Sequence, residues 1–566
     1  MQIASAPARA QRDTVSSATA TDAPVLRIGV HPARERAARK RLLGALEQVH
    51  QVRFEARDAG DWADLDGVLC FGGEPLELPL GLPALRAISE ERRLGSGGAL
   101  ALQRREELER PLRGAALTDS WSAALAGDAV RTDDLVLATS DGQPAWIASA
   151  GTTVRTVVST APAELAAGEA LRERLAPGRC LALLSLVHFL RSLAPQARRP
   201  PPMLRAAFVI DDPNLHWPSY GHIRYEALQQ HAHLHGYHVS IAMVPLDGWL
   251  AHPRVVRLFQ RHADQLSICV HGNDHRGPEL GMVGSSADGA ALAAQALARA
   301  REFERRTGIA VDKVMVPPHE ALSEPAAHGL LAGGFEAVCA SRPYPWIDGR
   351  SARSPLAAPP ERGALAAWSS REIVAGGLPM LLRAGFNAPR EDLVLRAFLG
   401  QPLILYGHHD LLADGLGVLS DAAAAIDELG DVRWSSLAGV ARAGVETRLA
   451  VPTFDVSLLA RRARFTVPAR ARELRLDAAA LRPAAGAQIQ VCQGDRAATL
   501  SPAADPPVFE LAGGETVETT LLPAAELVQR RAAKGQLGPL LRRAISEIRD
   551  RARAIAAPRH GRAGVS

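Results

Sequence analysis

Between residues 203 and 443, short apolar runs recur with helical patterns between them. They are Leu204–Ile210, His238–Val244, Leu266–Val270, Lys313–Val316, Ala337–Ala340, Leu378–Leu382 and Pro402–Tyr406. Runs that are apolar throughout, not alternating, read as strands buried on both faces, as in parallel sheets. Helical patterns at Tyr225–His235, Pro253–Ala263, Gly289–Thr307 and Arg390–Leu399 fit the crossovers that parallel strands require. Seven such strands predict a (β/α) barrel of an α/β protein, either closed or left incomplete at one seam. The working residues of a parallel barrel sit at the C-terminal ends of its strands. Asp211, Asp212, His271, the segment Pro317–Glu320 and His408 all follow directly on predicted strands.

The rest of the chain divides around this unit. Its 566 residues suit roughly three domains at ~150 residues each. Residues 1–23 lack an apolar run and read as a disordered tail without a secretory signal, which predicts a cytoplasmic protein. Residues 24–197 alternate strand and helix patterns. They predict an α/β domain with a parallel sheet, and the order of its elements resembles the flavodoxin-like or class I glutamine amidotransferase-like fold. Here Val25–Val30, Val52–Phe54 and Gly67–Phe71 are the first strands, Gly72-Gly73 reads as a turn, and Asp133–Ala138 and Pro144–Ser149 read as later strands joined by an Asp141-Gly142 turn. No nucleophile elbow with downstream His and Glu accompanies that order, so recognition or scaffolding is expected of this domain. Arg198–Pro202 is a stiff linker. Alternating runs within 447–522 predict a small β-sandwich. In the last segment, 523–566, Leu540–Ala556 is an amphipathic, Arg-rich helix, read as packing on the protein in preference to touching a membrane.

Composition narrows the function. The net charge of +4 is small for this length, and no dense basic run is interleaved with aromatics, so no nucleic-acid partner is expected. No apolar segment reaches ~18 residues, so no membrane span is expected. Cys70, Cys180, Cys269, Cys339 and Cys492 show no CxxC spacing and read as free thiols.

The chemistry concentrates in two strand ends. His271-Gly272-Asn273-Asp274-His275 places two imidazoles four residues apart, and Ala206–Ile210 ends in Asp211-Asp212. If the strands are neighbours, two imidazoles and a carboxylate can hold one divalent ion with positions left for water and substrate. A second carboxylate can then take a proton from water, and a histidine can give one to the leaving group.

These features resemble the polysaccharide deacetylase superfamily, carbohydrate esterase family 4, also called the nodulation-protein-B homology domain. The resemblance spans about residues 203–443 and rests on Asp211-Asp212, His271/His275, Pro317-Pro318-His319-Glu320 and the strand ending near His408. It implies Asp211 as general base and Asp212, His271 and His275 as ligands of a divalent metal: zinc first, with cobalt, nickel or manganese as alternatives. His408 is the candidate acid, and His409 beside it is the alternative. His319, Glu320, Trp217 and His409 are candidates for binding or orienting a substrate. The implied activity is hydrolysis of an amide or ester, removing an acetyl or other acyl group from a carbohydrate or related small molecule.

The chain departs from the family pattern at three places. Val209-Ile210, not Thr-Phe, precedes the Asp pair, and no Arg precedes Pro317. Only Trp346-Ile347-Asp348 could stand for the fourth motif. Two other readings stay open. One is a glycoside hydrolase using Asp211 and Glu320 as flanking carboxylates. The other is a degenerate barrel that binds glycan or a partner. An iron oxygenase site is disfavoured, since its H-x-D/E spacing is absent.

Overall fold

The computed structural model describes residues 25–72, 76–94, 98–149, 155–193, 203–342, 364–369, 372–374, 376–502, 508–510, 513–522 and 537–556. The seven apolar runs form seven parallel strands: β1 (Leu204–Asp211), β2 (Val239–Met243), β3 (Leu266–His271), β4 (Val311–Val316), β5 (Ala337–Ala340), β6 (Leu378–Gly385) and β7 (Leu403–Gly407). They pair in chain order, and β1 pairs with both β7 and β2, so the barrel is closed.

Closure has one irregularity. β1 pairs with β2 only through Phe208–Asp211, whereas Leu204–Ala206 pair with β8 (Val432–Trp434). One edge of β1 is thus shared between two strands, and β8 fills the opening at the N-terminal end.

Strand alternation decides what faces the barrel axis. Ala207, Val209, Ala242, Cys269, Val314, Val316, Cys339, Leu381 and Ile404 form one buried cluster. Leu437, Ala438, Val440 and Ala441 of a short helix complete it. Phe208 and Ile210 join the larger core outside the barrel. Asp211 shares parity with Ala207 and Val209, His271 with Cys269, and Arg383 with Leu381. The inward rows therefore change from apolar to charged at one end of the barrel.

The N-terminal unit is a nine-stranded sheet. Val52–Ala56, Leu26–His31, Gly67–Phe71, Ala84–Glu90 and Arg155–Ala161 lie parallel, as expected. The other four strands run antiparallel, a difference from the parallel sheet read from sequence. No α-helix lies between Glu90 and Arg155 among the described residues, so the four strands there pair antiparallel with their neighbours, and together they form the connection between the parallel strands Ala84–Glu90 and Arg155–Ala161. Asp141 and Gly142 supply the two positive φ angles of a tight hairpin there. Residues 445–522 form two four-stranded sheets around a separate core that includes Phe454, Leu474, Ile489 and Val517. Cys70, Cys180, Cys269 and Cys339 are buried, and all five thiols are free.

The C-terminal helix, Leu537–Ala556, crosses the charged end of the barrel. Its polar residues face inward: Arg543, Glu547, Asp550 and Arg551 bond to residues between Asp212 and Asp247. Leu541, Ile545 and Ile548, spaced along the opposite side, are each 66% exposed. The amphipathic helix is therefore mounted with its apolar side outward.

Candidate metal centre

Asp211 and Asp212 diverge because the backbone turns between them. Asp211 ends β1 facing the barrel axis, while Asp212 has a φ of +82°. His275, His319 and Glu320 also have positive φ. Such conformations are unfavourable for residues with a Cβ and persist only where surrounding contacts enforce them.

The contacts are visible at the His271–His275 loop. The buried Glu279 carboxylate accepts from the backbone N–H groups of Asn273 (2.6 Å), Asp274 (3.2 Å), His275 (2.9 Å) and Arg276 (3.4 Å). Gly272 is required at the first bend. Its φ is +62°, and a Cβ would stand 2.3 Å from Glu279 Oε1 and 2.5 Å from Pro318 Cγ. Asp274 turns away to Arg299, so it is not held toward the histidines.

His271 Nδ1 lies 2.9 Å from the Val316 carbonyl. A carbonyl can only accept, so Nδ1 carries a proton and Nε2 is the ring nitrogen turned toward Asp212. That Nε2 is 3.8 Å from Asp212 Oδ1, and His275 Nε2 is 3.4 Å from the same oxygen. Ligands bound at about 2.1 Å to one tetrahedral ion lie ~3.4 Å apart. One potential ligand atom from each of Asp212, His271 and His275 falls within 4.8 Å of the others, the one such group among the described residues. The donor set therefore fits a divalent ion. Burial and the neighbouring His271 push the His275 imidazolium down to about 4, which leaves the ring neutral near pH 7. Burial opposes ionisation of Asp212, but His271, Arg543, His275 and His408 outweigh it and hold the carboxyl well below its usual range.

Asp211 is locked differently. Arg383, from β6 and 1% exposed, donates Nη1 to Oδ1 at 2.9 Å and Nη2 to Oδ2 at 2.8 Å. Glu320 accepts from the Nε and Nη2 of the same guanidinium, and its other oxygen takes the Ser341 N–H at 2.6 Å. Burial would raise the Asp211 pKa, but Arg383 and His271 bring it below the ordinary value. The basic partner that the segment before Pro317 lacks comes instead from β6.

The remaining candidates separate. His408, half exposed, places Nε2 3.8 Å from Asp212 Oδ2. His409 points the other way, into Tyr220, His222 and Asp550. The His319 ring lies 5.2 Å from that of His275, at the mouth. Glu320 is turned to Arg383. Trp217 is 53% exposed on the rim, below Arg551. Trp346–Asp348 lie outside the described residues.

Sequence reading missed Arg383, Glu279, Asp247 and Arg543. Arg543 grips the buried Asp247 carboxylate through Nε and Nη2, and reaches Asp212 Oδ1 with Nη1 at 3.3 Å and Asp212 O with Nη2 at 3.2 Å. His216 sits between Glu547 Oε2 (2.9 Å) and the Asp247 carbonyl (2.8 Å). The signal for Arg383 was present in its parity with Leu381. Nothing local marks Arg543, whose partners are 331 and 296 residues away in the chain.

No family model and no curated protein matches the chain. Solved structures similar to part of it include a family 4 carbohydrate esterase from Streptomyces lividans in complex with acetate, at 12% identity and a TM-score of 0.26. That likeness covers 41% of this chain and 92% of the esterase. A T48 deacetylase with substrate is similar at 10% identity and a TM-score of 0.25, over 41% of this chain and 87% of that one. An exo-type maltose-forming amylase from Pyrococcus sp. ST04 is similar at 11% identity and a TM-score of 0.28, over 43% of this chain and 48% of the amylase.

Proposed function

We propose that the chain is a metal-dependent hydrolase of the deacetylase kind, removing an acetyl or other acyl group from a carbohydrate or related small substrate. The observation that carries this reading is the convergence of Asp212, His271 and His275 beside a second carboxylate, Asp211, that an arginine holds separately. A divalent ion, zinc first among the alternatives, would be held by Asp212, His271 and His275 and would act as a Lewis acid on water and on the acyl carbonyl. Asp211 stays ionised at neutral pH and is the group that receives the proton of the attacking water. Arg383 and Glu320 fix its orientation without entering the reaction. His408, at the exposed side of Asp212, is placed to give a proton to the departing nitrogen or oxygen. His319 and Trp217 border the opening and serve as substrate contacts.

The glycosidase reading needs Asp211 and Glu320 as independent carboxylates flanking a bond. Both instead accept from one guanidinium nitrogen, Arg383 Nη2, which favours the deacylase. The deciding experiment presents N- and O-acetylated saccharides to the purified chain with added zinc, cobalt, nickel or manganese and measures acetate release. Release that a chelator abolishes and Asp211→Asn removes is the expected result. Glycosidic cleavage without acetate, or release unaffected by both treatments, refutes the proposal.

A further inference from the structure

The C-terminal helix is mounted in an unusual sense. Its inward face holds the charged side chains: Arg543 on Asp212 and Asp247, Glu547 on Asn214 and His216, Asp550 on Tyr220. Its outward face carries Leu541, Ile545 and Ile548, spaced by four and three residues, all largely exposed. Residues at that spacing share one side of a helix. Two tryptophans flank the stripe. Trp249, 61% exposed, lines a cavity of about 350 Å³ together with Leu540, Leu541 and Ala544. Trp217, also exposed, lies beneath Arg551 near the other end.

The charges on this helix are divided. It has five arginines (Arg542, Arg543, Arg549, Arg551 and Arg553) and two carboxylates, Glu547 and Asp550. Both carboxylates are bonded into the barrel. Arg549, 56% exposed although its Nε also donates to Asp550 Oδ1 at 3.0 Å, and Arg553 lie on the solvent side of the helix near the apolar stripe. An apolar stripe with arginines at its margin and exposed tryptophans at its ends matches the chemistry of a lipid interface, where indole rings settle among headgroups and cations meet anionic lipid. A second copy of the chain fits less well, because two such faces would bring like charges together.

We infer that this face docks the protein on an anionic bilayer surface. The helix lies in the interface with Leu541, Ile545 and Ile548 among the acyl chains, and spans nothing. The charged end of the barrel, directly beneath the helix, is then held close to that surface. This inference concerns the outer face only and is independent of the hydrolase reading.

The test is flotation of the full chain with vesicles of phosphatidylglycerol and phosphatidylcholine, and with phosphatidylcholine alone. The native chain is expected to float with the anionic vesicles and to lose binding as salt rises. Ile545→Asp with Ile548→Asp should weaken that binding by about tenfold or more. Arg549→Glu with Arg553→Glu should weaken it on anionic vesicles alone. These side chains are exposed, so circular dichroism should match the native chain. Failure to bind anionic vesicles overturns the inference, as does binding that the aspartate variant leaves unchanged. A native dimer in light scattering that the aspartate variant dissociates, with no flotation, also overturns it and assigns the face to self-association.

Discussion

Arg383 and Asp211 meet through two parallel hydrogen bonds, Nη1 to Oδ1 at 2.9 Å and Nη2 to Oδ2 at 2.8 Å, with both side chains buried. They come from strands that do not pair with one another, β6 and β1, so the pair spans the barrel end. Removing the guanidinium leaves Asp211 and Glu320 without their shared cation. Arg383→Ala is expected to cost about 3–5 kcal/mol, since one partner of a buried pair is left uncompensated. Arg383→Lys keeps the charge but loses the fork and should lie between. Denaturant unfolding of both variants measures this.

The Asp212, His271 and His275 set predicts metal uptake. After dialysis against zinc and removal of excess, elemental analysis should give one ion per native chain, and His271→Ala or His275→Ala should give far less. Zinc at about a hundredfold over its dissociation constant should stabilise the native chain by ~2.7 kcal/mol. The shift in melting temperature should vanish in both variants.

Arg543 acts on the centre from outside the barrel. Its Nη1 bond to Asp212 Oδ1 steadies the orientation of a carboxylate that also faces both histidines. Arg543→Met should lower zinc affinity by about 10–100-fold, the range seen when groups behind metal ligands are removed. Competition with a chromogenic chelator reads this directly.

The helix also carries a pH signature. Burial lowers the His216 pKa, but the Glu547 carboxylate and the Asp247 carbonyl outweigh it and raise the value overall. Burial raises the Glu547 pKa, but His216, Arg551 and Asn214 bring it down to about 2. The histidine contribution is complete below its unfolded pKa of about 6.5 and is lost as pH rises through the raised value. The glutamate contribution is complete above about 4.5 and is lost as pH falls toward 2. The protection of the C-terminal helix against hydrogen exchange, relative to the intrinsic rate at each pH, should therefore be greatest at roughly pH 4.5 to 6.5, between these limits. Glu547→Gln should flatten that profile.

Glu279 is a test of the loop. Its carboxylate collects the N–H groups of Asn273 through Arg276. Glu279→Leu leaves those buried donors unsatisfied, at about 1–3 kcal/mol each where water cannot reach. Lower stability together with weaker zinc binding is expected, because His275 is positioned by this loop.

The barrel was legible because its strands are largely apolar on both faces and two of them run directly into ionisable residues, Asp211-Asp212 and His271. Val209 then Asp211, and Cys269 then His271, follow one parity, so the convergence of the carboxylate and imidazole rows could be read before any coordinates. Of the antiparallel half of the N-terminal sheet only the hairpin at Asp141-Gly142 was legible, because its turn residues mark it, whereas the antiparallel pairing of Gly98–Leu102 with its neighbours has no such local mark. Arg383 was overlooked because the Arg was sought next to Pro317, whereas spatial neighbours in a barrel need not be sequence neighbours. Arg543 lies on the polar side of an amphipathic helix, the side such a pattern would turn to solvent. Only the acidic residues waiting at Asp212 and Asp247 decide its sense.

The shared edge of β1 sets an order in time. Asp211 and Asp212 leave the ribosome early, yet Arg383 follows 172 residues later and Arg543 331 residues later. The seam at Leu204–Ala206 waits for Val432–Trp434. Any product ending before Val432 carries Asp212, His271 and His275 on a sheet whose edge at Leu204–Ala206 has no partner strand from Val432–Trp434. The complete centre thus exists only in a chain synthesised past Arg543, and contacts of such long sequence separation carry the largest loop-closure cost in folding.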